Sequence, residues 1–425
     1  MWLKKLVQVW KIKDLRNSIL FVAAMLVIFR IAAHIPIPGV DAAQLQAFFA
    51  SNQLLGIMNV LSGGGMETFS VVAMGIGPYI TASIIFQLLV MIIPKLEELQ
   101  KEGEAGRRKI NQWTRILTVP LAVLQGYGLI LLLSRQSGQI FTDLSPYRLV
   151  AMIITLTAGT IFLMWLGELI TEKNIGNGIS LLIFAGIISS LPQIIQQTIL
   201  TFDQSQILTF ILFAGIGLVT IIGIVIMTEG QRNVPVSYAR RVRGNRMYGG
   251  VNTHLPLRVN MAGVIPIIFA ISIILFPPMI AQFFLTAQSA FLVSIADATI
   301  RFFNNQLIYG ILYFLLVVGF TFFYTEVVFK PDQIAENLQK QGGFIPGIRP
   351  GRHTEEYLGY ITHRIILAGA IFLGLIAVLP LLVRSFTGFA NLAIGGTSLL
   401  IVVSVVIETF KRVESQLTMR DYEGL

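Results

Sequence analysis

Long apolar windows recur along the chain of 425 residues and are separated by shorter polar connections. A helix rises about 1.5 Å per residue, so about 20 apolar residues cross the hydrocarbon core of a bilayer. The pattern therefore predicts an all-α, polytopic membrane protein with ten transmembrane helices. The predicted spans lie at about residues 19–33, 74–93, 115–134, 149–170, 179–197, 207–228, 259–283, 307–328, 364–384 and 392–410.

The stretch from residue 54 to residue 93 is mostly apolar but is too long for one crossing. Two glycine-rich breaks interrupt it, SGGG at 62–65 and GIGP at 75–78. Non-helical backbone at membrane depth is tolerated only where protein or a water-filled cavity satisfies its polar groups. The pattern predicts a short segment over 54–61 that enters from one side and stops, then a full crossing from about residue 74, beside a cavity.

The composition agrees with a membrane protein. Hydrophobic residues make up 55% of the chain and charged residues only 12%, against about 25% charged residues in soluble domains. The mean hydropathy is +0.75. The sequence contains no cysteine, which excludes disulfides and thiol chemistry.

Basic residues are concentrated on alternate connections, and the net charge is +9. Lys and Arg occur in the N-terminal segment and in the connections 94–114, 171–178, 229–258 and 329–363. They are nearly absent from the connections 34–53, 198–206 and 285–306. Because basic loops stay on the cytoplasmic side of a membrane, both termini are predicted to be cytoplasmic.

Charged residues inside the predicted spans are few. Glu168, Glu229, Glu326 and Glu408 fall at the cytoplasmic ends of even-numbered spans, and no carboxylate lies at mid-membrane. Ion-coupled transporters usually need an ionisable or coordinating group there. The pattern weighs against a secondary transporter for a small solute, which we keep as the alternative function.

Signatures of enzymes are missing from the sequence. It contains neither a phosphate-binding loop ending in Gly-Lys-Ser/Thr nor a His-Glu-x-x-His motif. Its histidines do not occur at metal-ligand spacing. We predict no catalytic residue, no cofactor and no metal site.

Isoleucines occupy positions that would suit a narrow apolar opening. Ile76 and Ile80 lie four residues apart on one helix face, and the same spacing recurs in the fifth predicted span. Isoleucine in a membrane helix ordinarily serves packing or lipid contact. The alternative is a hydrophobic constriction that gates by dewetting. The candidates for it are Ile76, Ile80, Ile179, Ile183, Ile268 and Ile401.

Polar side chains interrupt the apolar pattern at a few further positions. They are Ser83, Gln87, Asn260 and Ser272. Hydrogen bonds between helices are the ordinary explanation. A polar seam that can part sideways is the functional alternative.

The long connections 229–258 and 329–363 have unusual content. The first interleaves arginines with Tyr238 and Tyr248, and the second contains GGFIPGIRPG at 342–351. The topology rule accounts for basic charge alone, but loops of about 30 residues fixed by Pro and Gly more often bind a partner. Arginine with aromatic neighbours fits RNA phosphates or an acidic protein surface. The candidate docking residues are Arg240, Arg241, Arg243, Arg246 and Arg349.

Seven groups of segments, in order along nearly the whole chain, resemble the SecY family, the central subunit of the Sec protein-conducting channel. They are FRI at 29–31 with IPIPG at 35–39, GIGPYITASI at 75–84, GEAGRRK at 103–109, GNGIS at 176–180, THLPL at 253–257 with NMAGVIP at 260–266, PGIRPG at 346–351 and GGTSLLI at 395–401. The resemblance implies a channel that moves unfolded secretory polypeptides across the membrane. It would release apolar segments, including signal sequences, sideways into lipid through a lateral gate.

The resemblance also implies roles for particular residues. The six isoleucines would form a pore ring, and Ser83, Gln87, Asn260 and Ser272 would line the lateral gate. A plug over about residues 54–70 would include Asn59, Leu61, Gly63, Gly64 and Gly65. The five arginines would meet the SecA motor ATPase or the rRNA of the ribosome.

An architecture and an assembly follow from the same resemblance. Residues 1–200 and 201–425 would form two pseudo-symmetric, inverted halves of five spans each. Small SecE-like and SecG-like membrane subunits would complete the complex. The expected location is the bacterial inner membrane.

Overall fold

The computed structural model describes most of the chain. The described residues are 10–41, 44–45, 59, 62–136, 140–141, 145–200, 207–238, 241–243, 246–248, 252–285, 289–387 and 396–423. They contain thirteen helices. These are α1 (Lys13–Ala33), α2 (Gly77–Ile92), α3 (Pro94–Lys101), α4 (Glu104–Gln136), α5 (Pro146–Glu172), α6 (Gly178–Leu200), α7 (Ile207–Glu229), α8 (Ile265–Phe284), α9 (Ala290–Asn304), α10 (Gln306–Val328), α11 (Pro331–Lys340), α12 (Arg352–Thr387) and α13 (Gly396–Glu423).

Each of the ten predicted spans falls on one of these helices. Within the described residues, seven helices are long and apolar enough to cross a bilayer, or eight if the bent pair α2–α3 counts as one span. The other two predicted spans fall on α6 and α13. The predicted helical, polytopic fold is confirmed, and the division into inverted halves stays a prediction.

Prolines set several helix boundaries. Pro78, Pro146 and Pro266 each stand in the first turn of a helix, where the missing N–H costs nothing. Pro94 ends α2 and begins α3, and the chain bends there by 101°. The predicted span to residue 93 therefore stops where a proline forbids its continuation.

Helix α8 contacts α2, α4, α9 and α10. Helix α6 contacts α1, α5 and α13. The largest hydrophobic cluster lies among these helices. It holds the residues from which the candidate site is built.

The two long connections carry short strands, so the chain is mostly helical rather than helical throughout. Within the described residues they contain β1 (Gln231–Tyr238), β2 (Arg241–Arg243), β3 (Arg246–Tyr248), β4 (Asn252–Arg258) and β5 (Gly343–Phe344). One sheet has the order β4-β1-β5, and β2 pairs with β3 in a separate hairpin. In β1, Val234 and Val236 are buried while Asn233 and Pro235 are exposed, which is the alternation of a half-buried strand.

The sheet, α11 and the start of α12 share a small core. It includes Val236, Leu257, Leu338, Ile345 and Leu358. Connections 229–258 and 329–363 therefore meet in one folded unit, which we call the sheet unit. The end of the helix bundle that carries it is the sheet end.

The predicted connection 285–306 is also largely helical. Helix α9 covers most of it and packs against α8 and α10. Asn305 caps the next helix, because its side-chain oxygen accepts hydrogen bonds from the backbone N–H groups of Leu307 and Ile308. The apolar residues of α9 recur at helical spacing around Arg301, too briefly to be read as a span.

Candidate functional site

The six candidate isoleucines come together in one hydrophobic cluster. Ile76, Ile183, Ile268 and Ile401 are buried within it, and Ile80 and Ile179 are partly buried against it. They come from α2 with the turn before it, α6, α8 and α13. Residues more than 300 positions apart along the chain thus form a single apolar group.

The first turn of α6 fixes two of these isoleucines. The side-chain oxygen of Asn177 accepts hydrogen bonds from the backbone N–H groups of Ile179 (3.0 Å) and Ser180 (3.3 Å), which caps the helix. A Cβ at Gly178 would lie 1.8 Å from the carbonyl oxygen of Gly167 in α5. Only glycine at 178 lets α6 start this close to α5, and Ile183 follows on the same helix.

A cavity of about 250 Å³ lies beside the isoleucine cluster. Ile76, Ile80, Ile183 and Ile268 border it, whereas Ile179 and Ile401 do not. The cavity runs between α2 and α4 on one side and α8 on the other, and its lining is mostly apolar. The cavity predicted beside the glycine-rich breaks is therefore present.

The glycine-rich turn of the predicted plug adjoins the same cavity, through Ser62 and Met66. Asn59 organises this turn: its backbone oxygen accepts from Gly64 N–H (2.8 Å), and its side chain exchanges two hydrogen bonds with Glu67. Leu61 and most of the predicted segment 54–61 lie outside the described residues. These bonds satisfy part of the turn's polar backbone, as non-helical backbone at membrane depth requires.

The predicted gate residues are dispersed. Ser272 borders the cavity, and its hydroxyl donates to the carbonyl oxygen of Ile268 (2.9 Å). Gln87 donates to Ser83 (3.2 Å) on its own helix, and its side-chain oxygen is buried without a hydrogen bond. Asn260 precedes α8, which begins only at Ile265, so the prediction that it lies on a span was wrong.

Each of the four glutamates predicted at span ends has a basic neighbour. Three pairs join different helices, and the pair with histidine is charged only when the histidine is protonated. The pairs are Glu168–Arg115 at 2.6 Å, Glu229–Lys411 at 2.8 Å, Glu326–His363 at 3.8 Å and Glu408–Arg412 at 2.7 Å. These carboxylates are partly exposed and bound to neighbours, which fits a structural role.

The candidate docking arginines belong to the sheet unit and its hairpin. Arg349 is exposed, and its carbonyl oxygen accepts a hydrogen bond from the Thr354 hydroxyl (3.0 Å), which fixes the turn that carries it. Arg241, Arg243 and Arg246 lie on the β2–β3 hairpin. Arg240 lies outside the described residues.

Sequence reasoning missed part of the cavity wall. Gln125 of α4 donates to the Thr81 hydroxyl of α2 (3.4 Å), and both border the cavity. Ile300 and Phe303 of α9 border it as well. Gln125 is a signal in the sequence because it is polar within an apolar span, whereas the apolar residues of α9 are too few to stand out as a span.

Comparison with known proteins identifies this arrangement. The SecY family model matches residues 70–410. The protein translocase subunit SecY of Streptomyces galbus is 45% identical, with 97% of each chain covered. The chain belongs to the SecY family. Members of this family are subunits of the protein translocase, and the chain is therefore a protein-conducting channel and not an enzyme. Membership decides against the secondary transporter.

Solved structures share the SecY channel fold. One, described as showing that the plug domain of the SecY protein stabilises the closed state of the translocation channel, matches with a TM-score of 0.65. It is 18% identical and covers 93% of this chain and 91% of its own. Sec61 in the canine ribosome–channel complex matches with a TM-score of 0.61, the same identity and the same coverage.

Proposed function

We propose that the six isoleucines form the ring that closes this channel. Four of them border one cavity and the other two pack in the same cluster, which is the observation that carries the proposal. Branched apolar side chains cannot replace the hydration shell of an ion, so a narrow neck of them excludes ions by dewetting. An extended polypeptide can pass such a neck and fills it while passing.

Residues 54–70 serve, in this proposal, as the plug beneath the ring. The position of Ser62 and Met66 against the cavity supports this role. Helix α8 contacts α2 and α4, which supports a lateral gate at that seam. Ser272 borders the cavity, Ser83 and Gln87 lie on α2, and Asn260 precedes α8. A passing segment of about 20 apolar residues would leave through the seam into lipid, because it partitions favourably there.

The sheet unit is the proposed docking surface for a partner that drives translocation. Arg349 is exposed on a fixed turn, and Arg240, Arg241, Arg243 and Arg246 belong to the neighbouring connection. The SecA motor and the ribosome are the proposed partners, and the canine relative in a ribosome–channel complex supports the second. Because the named relative is a translocase subunit, we also propose small SecE-like and SecG-like subunits in the same membrane.

The proposed location is a bacterial inner membrane, with both termini and the sheet end in the cytoplasm. The concentration of basic residues on the connections of that end supports this orientation. We also propose that residues 1–200 and residues 201–425 form two inverted halves.

The ring is tested by the variants Ile80→Ser and Ile183→Ser in the reconstituted complex. We expect each variant to raise the resting ion conductance of a planar bilayer, because a hydroxyl group makes the apolar constriction easier to hydrate. The matched control is Ile211→Ser on α7, because the side chain of Ile211 is 62% exposed and lies outside the isoleucine cluster. Ring variants that leak no more than this control would refute the ring. A stalled secretory chain should also crosslink to a photoreactive group at position 80 but not at 211.

A further inference from the structure

Arg30 is a charged residue inside a spanning helix, three residues before α1 ends. Its Nη1 donates to the carbonyl oxygen of Gly63, at 2.6 Å and 33 positions away. A cation at this depth is expensive unless it is paired or reaches water. The bond joins the first helix to the glycine-rich turn of the proposed plug.

Gly63 is suited to this contact by its backbone. Its φ of +74° lies in the left-handed region, which only glycine adopts at little cost. A Cβ at this position would lie 2.7 Å from Cζ of Phe29 and 3.1 Å from Cα of Gly186. Phe29 and Arg30, adjacent on α1, therefore cover the turn and bind its carbonyl, while α6 closes the other side.

A second set of bonds holds the later part of the segment. The N–H of Ile37 donates to the carbonyl of Phe69 (3.0 Å), and the N–H of Val71 donates to that of Ile35 (3.0 Å). The Thr68 hydroxyl donates to the carbonyl of Ala33 (3.1 Å). We call residues 68–71 the foot. Backbone pairing fixes the foot to the segment that follows α1.

Residues 62–64, which we call the head, are held differently. Among the hydrogen bonds of the described residues, the one from Arg30 alone ties the head to α1. Gly64 has a φ of +79°, and among the described residues no atom lies within 4 Å of a would-be Cβ there. Gly65, by contrast, is bound to the foot, because its carbonyl oxygen accepts hydrogen bonds from the Ser70 N–H (2.8 Å) and hydroxyl (3.1 Å). The Arg30 bond is therefore the polar contact that holds the head against α1.

We propose that Arg30 is a positioning residue that latches the head of the plug, so that loss of its bond to Gly63 frees the head while the foot stays bound. The latch rests on the proposed plug function.

Two cysteine reporters test the latch, and each is unique because the natural chain has no cysteine. Ser62→Cys reports on the head and Ser70→Cys on the foot. Both are near-isosteric replacements of buried serines, 3% and 0% exposed. The complex is reconstituted in vesicles, and labelling by a small water-soluble maleimide is timed with Arg30 intact, as Arg30→Gln and as Arg30→Lys.

We expect Arg30→Gln to raise labelling at position 62 about tenfold or more, as loss of a charge-assisted hydrogen bond implies, and to leave position 70 protected. Arg30→Lys should restore part of the protection, because the ammonium can still donate. The control is Arg301→Gln on α9, an exposed arginine paired within its own helix. It should change neither reporter.

Other outcomes overturn the proposal. Equal labelling gains at positions 62 and 70 would mean general loosening, and no gain at 62 would mean that Arg30 does not hold the head. The conductance of Arg30→Gln separates the latch from the proposed function. A released head without leakage would leave the latch standing and refute the sealing role of the plug. Ring variants that do not leak would refute the ring alone.

Discussion

Gly159 of α5 offers a strong test of how the plug and the ring are connected. A Cβ at Gly159 would lie 1.9 Å from the carbonyl oxygen of Val71 and 2.8 Å from its carbon. Both atoms belong to backbone, so no side-chain rotation relieves the overlap. Gly159→Ala must therefore move residue 71 by about 1.1 Å to reach a tolerable 3.0 Å contact.

The displaced backbone leads directly to the ring. Residues 71–76 connect the foot of the plug with Ile76, whose carbonyl oxygen accepts the first hydrogen bond of α2, from Ile80 N–H at 3.0 Å. Overpacking of this kind costs about 1–3 kcal/mol. If the whole cost falls on the closed state, the open probability rises about 5- to 150-fold.

The assay is the resting conductance of the reconstituted complex in planar bilayers, with the amount of assembled complex measured in parallel. Gly319→Ala on α10 is the matched control, because no atom of the described residues lies within 4 Å of its Cβ position. It should behave as the natural chain. A Gly159→Ala complex that assembles normally and stays closed would refute the coupling between residues 71–76 and the ring.

Two further predictions concern the charged surface. Arg349→Glu should slow export driven by the SecA motor several-fold, because it reverses a charge at the docking face. Assembly and resting conductance should not change. Equal slowing by Arg301→Glu, at the opposite end of the bundle, would contradict a docking role. Glu168→Gln should reduce stability by no more than about 1 kcal/mol in thermal unfolding of the complex, because its pair with Arg115 is partly exposed, and export assays should show natural rates. A loss of export in Glu168→Gln at normal stability would contradict the structural role of this carboxylate.

The spans were predictable because each is a long apolar run, and length and hydropathy alone decide such cases. The ends of the helices were harder to predict. Helix α12 begins at Arg352, well before the predicted residue 364, because its charged first turns give no apolar signal. The convergence of Ile76 and Ile401 could not be read from spacing. It came from the family resemblance, and the structure brings the two residues into one cluster.

The sheet unit and the cavity wall show where sequence reasoning stops. Strand β1 alternates only through Val234 and Val236, and its partners lie about 20 and 100 residues further along the chain. The wall contributed by Gln125 and Phe303 depends on which helices face each other. Packing between elements that are distant along the chain decides both the strand pairing and the cavity wall. A local sequence pattern does not reveal such packing.

The sheet unit also has a mechanical consequence. Its core draws on Val234, Leu257, Leu338 and Leu358, so it clamps the segments that join α7 to α8 and α10 to α12. A load applied there acts first on these four helices. The contacts of α8 with α2 and α4 resist such a load. A partner that pulls on the sheet unit would therefore move α8 relative to α2 and α4, at the seam of the proposed lateral gate.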